Sequence, residues 1–249
     1  FTAMELLRRG SKEKILLLEK GRSIETRKCP KAQTGRCMNC KPYCHITTGF
    51  SGAGAFSDGK LSLSPEVGGD LPQLIGEDVV QSLIEYTDSI YLEFGADTRV
   101  EGVSEKEAVK EIRKRAIQTG LKLVDCPIRH LGTEKAQEIY YAIEQYLLNN
   151  GVEIRFGCAC SDLILKNDTC IGVHVAEGQN EYDVYAKQTV VAAGRRGADW
   201  FDKLCARHGI AHAPGTVDIG VRVELPALVF EHITDVVYES KLVYRTKQY

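Results

Sequence analysis

The stretch KILLLEKG, residues 14–21, decides the fold, because it is a short unbroken apolar run closed by an acid, a lysine and a glycine. Such a run is typical of a strand buried on both faces of a parallel sheet. The residues before it, FTAMELLRRG, place apolar side chains on a helical period and end at Gly10, a favourable helix terminator. A helix, a tight turn and a buried strand are half of a mononucleotide-binding unit, so we expect an α/β fold with an incomplete Rossmann-like domain.

Composition and charge exclude several classes of protein. The 249 residues are 43% hydrophobic and 27% charged, which is typical of a globular protein of one large or two small domains. Lys and Arg number 32 against 34 Asp and Glu, so no overall positive field is present to hold nucleic acid. No apolar run approaches the roughly 20 residues that span a bilayer, and no signal-peptide core is present. Nine cysteines, an odd number in a chain too long to need disulfides, favour a reducing compartment in which they are free thiols or metal ligands. We therefore predict a cytoplasmic protein with no nucleic-acid partner and no membrane span.

Periodicity separates the rest of the chain into distinct segments. Residues 22–65 show little periodicity and predict a long cysteine-rich loop, whereas residues 78–151 carry three helical patterns. From Val152 the period changes to two, which predicts an antiparallel β meander that begins with VEIRF and turns at Asn167-Asp168. Two further strands and one helix are predicted at 189–194, 217–225 and 198–208 respectively. The chain thus combines an α/β core with an inserted helical block and a β meander.

Two features of the sequence are suited to binding a nucleotide. Glu19 ends the first predicted strand, the place from which an acid can bond both hydroxyls of an adenosine ribose, although a solvated loop acid is the alternative. The run GFSGAGAFSDGK, residues 49–60, is the densest run of small residues in the chain. Its backbone N–H groups and its lysine could approach phosphates or a flavin ring, and an ordinary flexible loop is the alternative.

Four cysteines of the long loop have a spacing that allows metal binding. They follow the pattern Cx7CxxCx3C and are Cys29, Cys37, Cys40 and Cys44. Four thiolates on one loop could hold zinc or an iron–sulfur cluster, and the CxxC pair could be a redox dithiol. A set of cysteines without any metal is the alternative, because only one CxxC pair is present.

Five motifs in a fixed order carry a family resemblance. They are Glu19 after a buried strand, the loop GFSGAGAFSDGKLSL, RHLGTEKAQEI at the start of a helix, VEIRF before the meander, and TVVAAGRRGADWF. Together they resemble the bacterial FAD-dependent dehydrogenases of the two-dinucleotide-binding-domain flavoprotein superfamily. The resemblance implies an FAD-binding domain split between residues 1–65 and 152–216, with residues 66–151 and 217–249 forming a substrate-side insertion. Relative to that family, we expect the chain to lack the N-terminal GxGxxG segment and the C-terminal portion.

The resemblance also implies roles for particular residues. Glu19 would hold the adenosine ribose, flanked by Lys20 and Gly21. The small-residue loop would face the pyrophosphate and the flavin through Gly52, Ala53, Gly54, Asp58, Gly59 and Lys60. The backbone of Cys160 would bond the adenine, and a second turn against FAD would be formed by Ala192, Ala193 and Gly194.

The predicted function is that of an FAD-dependent oxidoreductase, a dehydrogenase or reductase. It would pass a hydride between an organic substrate and a redox partner such as NAD(P)H through bound FAD. The sequence assigns no catalytic acid or base. The alternative function is a metal-organised binding module, in which the Cys29–Cys44 loop carries zinc or an iron–sulfur cluster without flavin turnover.

Overall fold

A computed structural model describes residues 1–57, 59–103, 106–215, 219–237 and 239–246. In chain order its helices and strands are α1 (Thr2–Arg8), β1 (Leu16–Glu19), α2 (Lys31–Thr34), β2 (Lys60–Ser62), α3 (Leu71–Ile75), α4 (Glu77–Glu93), α5 (Lys106–Gln118), β3 (Lys122–Val124), β4 (Ile128–His130), α6 (Thr133–Asn149), β5 (Glu153–Phe156), β6 (Cys158–Lys166), β7 (Thr169–Glu177), β8 (Asn180–Tyr185), α7 (Ala198–Arg207), α8 (Ala227–Thr234) and β9 (Lys241–Val243).

The chain forms two compact units. The first contains Phe1–Phe56 and Tyr140–Val217, and the second contains Ser57–Ile139 and Asp218–Tyr249. The predicted assignment of the sequence to an FAD-binding domain and a substrate-side domain stays a prediction.

The first unit is built on a parallel strand pair. β1 lies beside β5 in parallel, with Leu16 opposite Glu153 and Glu19 opposite Phe156. The prediction that VEIRF opens the meander is wrong, because Glu153–Phe156 form β5 and pair with β1. Gly157, with a φ of 71°, follows β5 and lets the chain turn into β6.

The predicted meander is confirmed for β6, β7 and β8, which form an antiparallel sheet in that order. Asn167 and Asp168 connect the first two strands in the left-handed conformation, at φ of 50° and 60°, as a tight two-residue hairpin requires. Alternate residues of the sheet face a core that includes the buried Cys158 and Val175, against which Leu18 of β1 packs. Period-two alternation therefore does produce a sheet with one buried face.

The second unit contains α4, α5, the start of α6 and two strand pairs, β2 with β4 and β3 with β9, both antiparallel. Its apolar cluster includes Val109 and Ala116 of α5 and Leu123 of β3. The Arg129 guanidinium, almost fully buried, donates to both carboxylate oxygens of Asp88 at 2.5 and 2.7 Å. The three helices predicted within residues 78–151 are confirmed as α4, α5 and α6.

Two predicted strands are absent from the described part of the chain. Residues 189–193 adopt no regular structure, and Val190 is 66% exposed. The predicted strand at 217–225 falls partly outside the described residues, and its described part, 219–225, is also irregular. Apolar residues alone do not make a strand, because its backbone N–H and C=O groups need a neighbouring strand. No described strand pairs with either segment.

Across the residues described, no helix is both long and apolar enough to cross a membrane.

Candidate functional site

A cavity of about 600 Å³ lies at the carboxyl ends of β1 and β5. Its lining residues are Lys20, Gly21, Arg22, Ser23, Thr26, Lys41, Pro42, Tyr43, Cys44, His45, Thr48, Phe156 and Gly157. In α/β folds, ligands bind outside the carboxyl ends of parallel strands, and ligand pockets have volumes of about 300–1,000 Å³. The position and size of the cavity therefore make it the candidate cofactor site, and two predicted cofactor-binding residues, Lys20 and Gly21, line it.

Glu19 fixes the turn that leads from β1 into this cavity. One of its carboxylate oxygens, Oε1, accepts a hydrogen bond from the Gly21 N–H at 2.7 Å. The other oxygen forms no hydrogen bond with any described residue. Gly21 itself approaches the backbone of Gly49 so closely that an added Cβ would lie 2.5 Å from the Gly49 nitrogen. This turn thus requires glycine and leaves one carboxylate oxygen of Glu19 able to accept further hydrogen bonds.

Positive side chains surround the same cavity. The Lys20 ammonium donates to the Arg196 carbonyl at 3.2 Å and lies 5.2 Å from the centre of the Tyr43 ring. The cavity is also lined by Arg22 and Lys41, both exposed, and neither forms an ion pair within the described part of the chain. Their charges are therefore available to phosphate groups, whose oxygens accept hydrogen bonds from such cations. Sequence reasoning missed Arg22, Lys41 and Tyr43, because no local pattern distinguishes them from other loop residues.

Arg27 holds the loop that forms one wall of the cavity. Its guanidinium is 2% exposed and donates to the carbonyl oxygens of His45, Ile46, Phe50 and Gly52, at distances of 2.8, 2.6, 2.5 and 2.6 Å. The guanidinium carbon lies 4.4 Å from the centre of the Phe56 ring. Burial lowers the pKa of Arg27. A single side chain thus ties together the backbone of residues 45–52, and sequence reasoning missed it.

Cys44 lines the cavity as a polarised thiol. The hydrogen bond from the Ile46 N–H has the largest effect on the Cys44 thiol and lowers its pKa. The side chain and N–H of Thr47 and the charge of Arg196 act in the same direction. Hydrogen bonds of this kind favour the thiolate, which is the reactive form of cysteine. In contrast, burial raises the pKa of Cys158 and Cys160.

The predicted metal site on the cysteine-rich loop is not assembled in the structure. Within the described ranges, which include all nine cysteines, no three His, Cys, Asp or Glu side chains come together in an arrangement that could hold a metal ion. Cys29, Cys37, Cys40 and Cys44 are free thiols, of which Cys37 is exposed. Sequence spacing places these residues on one loop, but spacing alone does not bring three of their sulfur atoms to one point.

The small-residue loop is shared between the two units. In the first unit, the Gly52 carbonyl accepts from Arg27, Ala53 follows it, and a Cβ on Gly54 would lie 3.2 Å from the Tyr140 hydroxyl oxygen. In the second unit, the Gly59 carbonyl accepts from the Leu131 N–H, and the Lys60 ammonium pairs with Glu239 at 3.0 Å. Asp58 lies outside the described residues. The predicted contacts of this loop with pyrophosphate and flavin stay predictions.

The remaining predicted contacts lie away from the lining of the cavity. Cys160 sits in β6 opposite Val175, and its thiol donates to the Asp162 carbonyl at 3.4 Å. Ala192, Ala193 and Gly194 are exposed in the irregular segment before α7. This segment leads into the turn whose Arg196 carbonyl is bound by Lys20, so the chain does connect it to the end of β1. The predicted roles of these four residues stay predictions.

Two carboxylates of the first unit have displaced pKa values. Burial raises the pKa of Glu144, which is 2% exposed and accepts a hydrogen bond from the Ile24 N–H at 3.1 Å. Partial burial also raises the pKa of Asp162, but bonds from His208, Arg207 and the Leu163 N–H outweigh it and lower that pKa to about 2. Asp162 lies beside a second, polar cavity of about 420 Å³ and connects β6 to the end of α7.

Comparison with known proteins identifies the family. The sequence profile of the FAD binding domain matches residues 45–217, which is more than half of the chain. No curated protein sequence matches the chain. The match confirms the predicted resemblance to FAD-dependent oxidoreductases, the Rossmann-like fold class and FAD as the cofactor.

Solved structures similar to this chain include L-amino acid deaminases. The enzyme from Proteus vulgaris has a TM-score of 0.39 and 16% identity, over 78% of this chain and 44% of that one. The enzyme from Proteus myxofaciens, solved with anthranilate, has a TM-score of 0.34 and 14% identity, over 71% and 40%. A P. vulgaris form without its specific insertion sequence has a TM-score of 0.32 and 18% identity, over 82% and 52%. The present chain thus spans about half the length of these proteins. By its sequence match over residues 45–217, the chain belongs to the FAD binding domain family.

Proposed function

We propose that the protein is an FAD-dependent oxidoreductase that passes a hydride between an organic substrate and a redox partner such as NAD(P)H. The observation that carries the proposal is a cavity with a positive lining, located beside Glu19 at the carboxyl ends of two parallel strands, in a chain of the FAD binding domain family. When bound, FAD supplies the ring system that accepts and returns the hydride.

The residues around the cavity fit the adenosine and phosphate portions of FAD. The second carboxylate oxygen of Glu19 can accept from the ribose hydroxyls, since Oε1 already holds the Gly21 N–H. The exposed charges of Arg22 and Lys41 can neutralise phosphate oxygens. The close approach of Gly21 to Gly49 leaves backbone, and not side chain, at this edge of the cavity. These groups would bind and orient the nucleotide end of the cofactor.

The free thiols support a reducing, cytoplasmic location as a further part of this proposal. All nine cysteines of the chain are unpaired. Disulfides form in oxidising compartments and are rare in the cytosol. We expect titration of the denatured, unreduced protein with a thiol reagent to count nine thiols, whereas a lower count would contradict this location.

The test is a titration of the protein with FAD, followed by flavin fluorescence and absorbance, together with elemental analysis for zinc and iron. We expect FAD to bind and Glu19→Ala to weaken the affinity roughly tenfold to a hundredfold, because charge-assisted hydrogen bonds contribute about 1.5–3 kcal/mol. The matched control is Glu13→Ala, which removes an exposed acid that pairs with Lys187 and should leave the affinity unchanged.

Three results would contradict parts of this proposal. A wild-type protein that takes up no FAD would contradict cofactor binding by this chain. Unchanged affinity in a folded Glu19→Ala variant would contradict the role of this acid. Stoichiometric zinc or iron without flavin would instead favour the metal-organised module.

A further inference from the structure

Residues 219–225, with the sequence IGVRVEL, form an exposed apolar segment in the second unit. Every second residue is apolar, and the exposed fractions of these side chains are 96% for Ile219, 89% for Val221, 70% for Val223 and 50% for Leu225. None of these residues belongs to a helix or strand, and no described strand pairs with them. A strand-like segment of this composition, with its backbone groups open, is a template for pairing with another strand.

The intervening residues carry opposite charges. The Arg222 guanidinium lies 3.0 Å from the Glu224 carboxylate, and both side chains are more than three-quarters exposed. Residues two apart lie on the same face of an extended strand, so Arg222 and Glu224 would share one face of this segment if it paired as a strand. An ion pair this exposed contributes little to stability, so both charges can change partners at small cost.

The segment is complementary to itself when two copies run antiparallel. With Val223 of each copy at a two-fold axis, Arg222 of each copy faces Glu224 of the other, and Val221 faces Leu225. The pairing then contains two cross-strand ion pairs and a continuous apolar face. A shift of the axis by one residue would place Arg222 against its own copy or Glu224 against its own copy. Like charges would then repel, so the charges select one register.

Pro226 agrees with this register. It faces Gly220 in the pairing, and it has no N–H to donate. Antiparallel pairs alternate between hydrogen-bonded and non-hydrogen-bonded positions. If the Val223 pair is hydrogen-bonded, the Pro226 position is non-hydrogen-bonded and needs no N–H. The Arg222 and Glu224 positions are then also non-hydrogen-bonded, where side chains lie closest together.

We propose that residues 219–225 form an antiparallel strand pair with the same segment of a second copy of this chain, and so make the protein a symmetric dimer. The partner is a second copy of this chain, because in this register Arg222 of each copy faces Glu224 of the other and two ion pairs form. The proposal is independent of the FAD site, since it uses only residues of this exposed segment.

The test is sedimentation velocity of the purified chain over a hundredfold range of concentration. We expect a monomer–dimer equilibrium. Arg222→Glu and Glu224→Arg should each weaken dimerisation at least about tenfold, because both symmetry-related ion pairs become repulsive. The double variant that exchanges the two charges should restore it. Glu231→Arg, an exposed charge reversal on α8 outside the segment, is the matched control and should have no effect.

A chain that sediments as a monomer at every concentration would overturn the proposal. Dimerisation that Arg222→Glu leaves unchanged would assign the interface to another surface. Failure of the charge exchange to restore the dimer would show that the segment pairs with a different partner or aggregates without a register. FAD affinity is measured on every variant as a control. It should remain constant, which would show that the first unit is folded in each variant.

Discussion

Replacement of Arg27 should destabilise the first unit more than any other single change in the cysteine-rich loop. The guanidinium donates to four backbone carbonyls between residues 45 and 52 and is almost completely buried. Arg27→Met keeps an apolar chain against Phe56 but removes every donor. Arg27→Lys keeps the charge but cannot reproduce the planar fork.

The size of the effect follows from these contacts. A hydrogen bond to a charged group contributes about 1.5–3 kcal/mol, but four bonds from one side chain are not additive. A buried carbonyl left without its donor costs about 1–3 kcal/mol, and Arg27→Met leaves four such carbonyls, some of which can regain a partner by relaxation. We therefore expect Arg27→Met to lower the free energy of unfolding by about 3–5 kcal/mol, and Arg27→Lys to lower it by roughly half of that.

The measurement is urea denaturation at neutral pH, followed by the fluorescence of Trp200. This residue is the chain's single tryptophan and lies in the first unit, so its signal reports the unit that contains Arg27. Arg36→Met, an exposed arginine of the same loop, is the control and should change stability by less than about 0.5 kcal/mol. FAD affinity of Arg27→Met should also fall, because the loop forms a wall of the cavity. A stability within about 1 kcal/mol of the control would refute the role assigned to Arg27.

Four further predictions concern the first unit. Gly21→Ala should cost about 1–3 kcal/mol and weaken FAD binding, because its Cβ would overlap backbone; Gly215→Ala, where nothing lies within 4 Å, should do neither. Asp162→Asn should lower the free energy of unfolding at pH 7 by about 1–2 kcal/mol, because the native pKa of Asp162 is depressed from 3.8 to about 2. Denaturation at a series of pH values should show that the difference in stability between the two proteins vanishes as pH falls from 3.8 to about 2. Glu144→Gln should raise the free energy of unfolding at pH 7, because the raised native pKa of Glu144 makes the wild type lose stability as pH rises above 4.5. If the free energy of unfolding changed with pH equally in both proteins, this prediction would be contradicted. Iodoacetamide followed by peptide mass spectrometry should find Cys44 alkylated before Cys158 and Cys160 of β6, whose pKa values are raised, and FAD should slow the reaction.

The sequence alone predicted the elements whose physical cause is local. Helical periodicity located α4, α5 and α6, because each pattern of apolar residues spans several turns of one helix. Period-two alternation predicted the meander, and Asn167-Asp168 predicted its first turn, since these residues tolerate the left-handed conformation that the hairpin requires. The ordered motifs also indicated an FAD-binding fold, which the family match confirms.

The tertiary structure alone decided the contacts between distant segments. VEIRF alternates like a meander strand, yet it pairs with β1, because which strands become neighbours depends on the path of the whole chain. Residues 189–193 are as apolar as a buried strand, but no strand in the described part of the chain pairs with them. The spacing of Cys44 suggested a metal ligand, whereas its surroundings make it a polarised thiol in a cavity. Arg27 shows the reason most clearly: its four carbonyl partners lie 18 to 25 residues away, and no local pattern reports where backbone carbonyls converge.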